Sequence, residues 1–111
     1  MKLHIAGESY SSVFECVLNK AKNQDYHFLS FSVDSGLISC YWDGPVLKLV
    51  DFKLNLTPNG VKILILSSQL INSKGQLIAD PENEKKFTNL FLEEYDDILL
   101  EDYLPVSTDI C

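Results

Sequence analysis

Apolar and polar residues along this chain recur with two different periods, and each change of period marks an element. Lys2 to Ala6 alternates weakly and predicts a short first strand, with Gly7-Glu8-Ser9 supplying a break and a helix cap. From Ser11 to Asn23, Val13, Phe14, Val17, Leu18 and Ala21 fall at i, i+1, i+4, i+5 and i+8, one stripe of a 3.6-residue helix. Lys20 and Lys22 near its end complement the helix dipole. Tyr26 to Val33 is aromatic and β-branched and predicts a strand, turned by Asp34-Ser35-Gly36 into a returning strand from Leu37 to Trp42. Asp43-Gly44-Pro45 is a second turn.

Val46 to Asn55 alternates, with Val46, Lys48, Val50, Phe52 and Leu54 on one face. Thr57-Pro58-Asn59-Gly60 is the strongest turn in the chain and leads into a strand from Val61 to Ile71. There Ile63-Leu64-Ile65-Leu66 is apolar on both faces, which predicts cover above and below. Ser73-Lys74-Gly75 turns again, and Gln76 to Ala79 adds a short strand. Asp80-Pro81-Glu82 opens a second helix with a cap residue, a proline at the first position and an acid in the first turn. Helical spacing then puts Phe87, Leu90, Phe91, Tyr95, Ile98 and Leu99 on one side and Glu93, Glu94, Asp97 and Glu101 on the other. Pro105 must end this helix. Like charges at i, i+4 cost a few tenths of a kcal/mol per pair, so a break near Glu94 is the alternative.

The order predicts an α+β fold: an antiparallel β-meander of about four to six strands with two flanking α-helices on one face. At 111 residues, 1–111 is one single domain with no room for a second core. No apolar run approaches the roughly 20 residues that span a bilayer, and the N-terminus lacks a signal-peptide pattern, so a cytoplasmic location is expected. Cys16, Cys40 and Cys111 are odd in number and widely spaced, which suits reduced thiols, with Cys16 and Cys40 in the core.

Charge sharpens the picture. The chain carries sixteen acids against nine lysines and no arginine, for a net charge of −7. Residues 1–90 hold nine acids and all nine lysines, so the whole excess falls in residues 91–111. Such a balance disfavours nucleic acid and anionic membranes, which need basic residues, and favours a basic protein partner.

No nucleophile elbow, phosphate loop or dinucleotide fingerprint is present, and no cofactor is expected. Asp25 and His27 would share one face of a strand, a pairing that needs no catalytic explanation. The Glu93-Glu94-x-Asp96-Asp97 run lacks a glycine-turned loop, and its carboxylates spread over a wide arc, so no metal site is expected. The segment Glu93, Glu94, Tyr95, Asp96, Asp97, Glu101, Asp102 and Tyr103 is the main candidate for partner binding: tyrosines supply contact area and carboxylates supply steering. The competing reading is an amphipathic helix with acids kept for solubility. Trp42 and Asp43 form a second candidate patch, against a reading with Trp42 in the core.

A small acidic domain with this tyrosine- and acid-rich 93–104 segment resembles the immunity proteins of bacterial polymorphic and contact-dependent growth-inhibition toxins. The resemblance implies a non-enzymatic protein that binds and neutralises a cognate toxin domain, typically a basic nuclease, inside the cell that makes it. A nuclease cleft is electropositive because its substrate is a polyanion, and a row of carboxylates can fill it. One alternative is an acidic secretion chaperone, which should dimerise and expose apolar grooves for an effector. A small enzyme of unknown chemistry, built around His27, Asp25 or Asp51, is the other.

Overall fold

The structure, a computed structural model, describes residues 2–95 and the backbone of residues 98–100. Its elements in chain order are β1 (Lys2–Ala6), α1 (Tyr10–Asn23), β2 (His27–Ser32), β3 (Leu37–Asp43), β4 (Leu47–Thr57), β5 (Gly60–Ile71), β6 (Leu77–Ala79), α2 (Pro81–Glu94) and β7 (Ile98–Leu100). The strands form one antiparallel sheet in the order β2-β3-β4-β5-β1-β7, with β6 also on β5. The predicted α+β class holds, with β7 as the strand the sequence pattern concealed. β5 is long enough to pair twice on one side: Gly60–Leu64 with β1, then Gln69–Ile71 with β6.

Period-2 alternation sends one set of side chains to the helix-covered face: Leu3, Ile5, Ile38, Cys40, Val50, Phe52, Leu54, Val61, Ile63 and Ile65. Val13, Phe14, Val17 and Ala21 of α1 and Phe87 and Phe91 of α2 close over them. Phe52 meets Phe87 and Phe91 edge-on at 5.2 and 6.0 Å between ring centroids, and Phe87 meets Tyr26 in the same way at 5.2 Å. Such aromatic pairs add about 0.5–1.5 kcal/mol each beyond the area they bury. The hairpin between β4 and β5 closes on Pro58-Asn59, and Gly60 is required where it stands. A Cβ there would lie 1.9 Å from the carbonyl oxygen of Ile5.

Two expectations need correction. Among the described residues Ile63-Leu64-Ile65-Leu66 is fully covered on one face only: Ile63 and Ile65 are buried, Leu64 is half-buried and Leu66 is exposed. Leu66 is an extra residue in the ladder, because Asp51 pairs with Ser67 while Phe52 pairs with Ile65. The bulge turns Ser68 inward, where its hydroxyl donates to the Asp80 carbonyl at 3.0 Å while the Asp80 N–H donates to the Ser68 carbonyl at 2.8 Å. This fixes the start of α2 on β5. Asp80 then caps the helix, its side chain accepting from the Asn83 N–H.

The second correction concerns the end of α2. The helix does not run towards Pro105: it stops at Glu94, and Ile98–Leu100 becomes a strand on β1. The sequence pattern allowed this break. The last turn carries Glu93 and Glu94 and no base at the negative end of the helix dipole. β1, paired with β5 on one side, leaves a row of backbone donors and acceptors on the other that Ile98–Leu100 can satisfy.

Candidate partner-binding site

α1 and the end of α2 frame an acidic groove. Ser9 caps α1 by accepting from the Ser12 N–H at 3.2 Å, so the helix begins just past Glu8. Val13, Phe14, Val17 and Ala21 then turn inward, and the 3.6-residue repeat brings Ser12, Cys16, Asn19 and Asn23 round to the other side. On that side Glu8, Glu15, Cys16 and Lys20 meet Glu94 and Tyr95 from the end of α2 around an open groove of about 530 Å³.

Three carboxylates line it against one ammonium, and that ammonium is already engaged: Lys20 Nζ lies 2.9 Å from Glu94 Oε1. The hydrogen bond to Glu94 raises the lysine pKa, outweighing the opposing effect of burial. At the floor, burial pushes the Tyr95 hydroxyl well above its ordinary value, and its hydrogen bond to Cys16 adds to the effect. Burial also raises the Cys16 thiol, against the lowering effect of that same hydrogen bond. Both groups are therefore neutral near pH 7, and the groove's charge comes from its carboxylates.

Of the residues singled out from sequence, Glu94 and Tyr95 belong to this groove, and Glu93 is exposed on the last turn of α2 beside it. α2 ends at Glu94. Asp96, Asp97, Glu101, Asp102 and Tyr103 lie outside the described residues. Trp42 and Asp43 do not make one patch, since neighbours on β3 point to opposite faces. Trp42 packs at the edge of the core with Lys48 Nζ 5.4 Å from its ring centroid, and Asp43 is exposed.

Asp25 and His27 do not share a strand face. Asp25 occupies a left-handed position (φ 65°) where α1 ends, and His27 begins β2 with its ring tilted against that of Tyr41 at 5.3 Å between centroids. Asp51 accepts a hydrogen bond from Ser67 at 3.0 Å on the sheet. Cys40 is buried in the core as expected, whereas Cys16 is only half-buried because it faces the groove. Among the described residues no group of three or more histidines, cysteines or acids is placed to hold a metal ion, and no helix is long and apolar enough to cross a membrane.

Sequence reasoning missed Glu8, Glu15 and Lys20 as members of the site. The signal was the polar run Ser12, Glu15, Asn19, Asn23 along the outer side of α1, but nothing in the sequence joins it to Glu94. No family model matches the chain, and no curated protein matches it in sequence.

Proposed function

We propose that this protein is a non-catalytic binding module acting in the cytoplasm, where it neutralises a basic, nuclease-type toxin domain by charge-complementary contact, as an immunity protein does. The observation that carries this reading is the groove between α1 and the end of α2, in which three carboxylates outnumber a single lysine already tied to Glu94. A lysine or arginine of the partner would meet concentrated negative charge, with Tyr95 beneath as a neutral contact surface. Two acids in the last turn of α2 add to the case. Each costs about 0.3–1 kcal/mol against the helix dipole, which makes sense if they serve a partner rather than the fold.

The test is capture from the native cell followed by titration. The purified chain should retain a basic protein, and Glu8→Lys, Glu15→Lys and Glu94→Lys combined should weaken that binding by more than about tenfold with the fold intact. Capture of an acidic or neutral protein, or unchanged affinity in the triple variant, would remove the groove from the interface.

One observation favours the secretion-chaperone reading instead. The edge strand β2 exposes apolar side chains suited to another chain's strand. The two readings separate on the captured partner: a folded domain for immunity, an extended segment for a chaperone.

A further inference from the structure

β2 forms one end of the sheet, and among the described residues nothing pairs with its outer edge. Sheet edges in monomeric proteins are guarded by lysine, proline or inward-pointing charge. Residues 27–33 contain none of these, and their one guard is the register shift between Phe28 and Ser30. Ser30–Ser32 beyond the shift is regular strand. The side chains are apolar and open to solvent: Leu29 is 62% exposed, Phe31 53% and Val33 54%. With Leu37 they make up four of the eight large hydrophobic side chains exposed among the described residues, gathered within nine positions.

The edge is also anchored to its neighbours. Phe31 packs against Phe14 of α1 and Phe28, with ring centroids 6.3 and 5.7 Å apart. The following turn is tied to α1 by the Tyr10 hydroxyl donating to the Val33 carbonyl at 2.7 Å, and to β4 by Lys53 donating to the Ser35 carbonyl at 2.8 Å.

We infer that this edge pairs with β2 of a second copy of the chain, antiparallel about a twofold axis at Phe31. The sequence itself selects the occupant. Leu29-Ser30-Phe31-Ser32-Val33 reads the same in chemical type from either end. Self-pairing about its centre therefore sets Phe31 against Phe31 and each serine against a serine within the regular strand, with the bulged Leu29 and the turn residue Val33 flanking that ladder on either side. A twofold interface requires this self-complementarity, and like-with-like apolar pairs are what stabilise antiparallel neighbours. Charge agrees. Two copies each of net charge −7 repel, and this stretch carries no acid, so they can meet here without carboxylates opposed. The regular ladder is short, so the association is weak and concentration-dependent.

This inference does not rest on the acidic groove. Tyr10 and Phe14 lie towards β2, while Ser12, Cys16 and Asn19 line the groove on the opposite side of α1, which stays open in both copies. Dimerisation meets one requirement of the chaperone reading but covers the β2 edge on which that reading would seat an effector's strand.

Sedimentation equilibrium of the full chain from roughly 1 to 500 μM tests it. The expected result is a mass rising from 12.6 kDa towards twice that value, with amide exchange at residues 29–33 slowing as concentration rises. Leu29→Lys and Phe31→Lys should each weaken association at least tenfold. Phe31→Lys also alters packing against Phe14, so Leu29→Lys, at the most exposed of the three, provides the independent check. A monomer at every concentration, a dimer indifferent to both variants, or slowed exchange at β6 instead of β2 would overturn the inference.

Discussion

Replacing Lys20 by methionine should weaken the fold and strengthen partner binding at the same time. The Lys20 ammonium lies 2.9 Å from Glu94, with the two side chains 23% and 47% exposed, so solvent screens the pair. Partly exposed ion pairs contribute about 0.2–1 kcal/mol, and methionine retains the apolar stem that lies along α1. The expected loss of stability is of that order, roughly 1–6 °C in melting temperature for a domain of this size.

Binding moves the other way. In the free protein Lys20 occupies the position a partner's cation would take on Glu94, and removing it raises the groove's surplus from two negative charges to three. Affinity for a basic partner should rise by a comparable 0.2–1 kcal/mol, about 1.5- to 5-fold. The gain should shrink between about 50 and 300 mM salt as the Debye length falls below about 10 Å. Thermal unfolding and calorimetric titration with the captured partner measure the two quantities. If affinity falls or stays unchanged while stability drops, Glu94 takes no part in recognition and the reasoning fails.

Asp80→Ala removes the α2 cap and the counter-charge 3.9 Å from Lys48, and should cost about 1–3 kcal/mol in a urea titration. Asp80→Asn keeps the acceptor for the Asn83 N–H and should cost less; equal losses would show that the cap contributes nothing. Asp25→Gly relieves a left-handed backbone position and should stabilise the protein by about 0.5–1 kcal/mol, seen as a higher melting temperature. Burial pushes Tyr26 and Cys40 each up to about 12, from 10.0 and 9.0, so both are neutral in the fold when already ionising in the unfolded chain. Their stabilisation is complete below about pH 9 and is lost as pH rises towards 12. Each contributes a slope of up to about 1.4 kcal/mol per pH unit, and a flat urea midpoint across that range would contradict the burial of both groups.

Where sequence and structure agree, the information is local. The Val13-to-Ala21 stripe, the Ser9 cap and the Asp80-Pro81 start each lie within a few residues, and the helices begin at Tyr10 and Pro81 accordingly. The strands likewise follow from alternation and turn residues. β7 was hidden because Ile98 and Leu99 continue the helical stripe of Phe87, Phe91 and Tyr95 equally well. The choice between helix and strand fell to the vacant edge of β1, more than ninety residues away in the chain.

The site divided in the same way. Glu93, Glu94 and Tyr95 were legible as an acidic, aromatic cluster, but their companions Glu8, Glu15 and Lys20 are brought to them only by the packing of α1 against α2. The extra residue at Leu66 explains the other misreading. An apolar run taken for a segment covered on both sides is a covered strand with a bulge that aims Ser68 at the start of α2.

The most direct test of the acidic groove is a backbone-amide NMR titration of the isotope-labelled chain with its captured basic partner. The account predicts that shift changes centre on the outer side of α1, at Ser12, Glu15, Cys16 and Asn19, together with Glu94 and Tyr95. Changes confined to Tyr41, Leu49 and Leu64 on the face of the sheet opposite α1 and α2, with α1 unmoved, would place recognition elsewhere and contradict it.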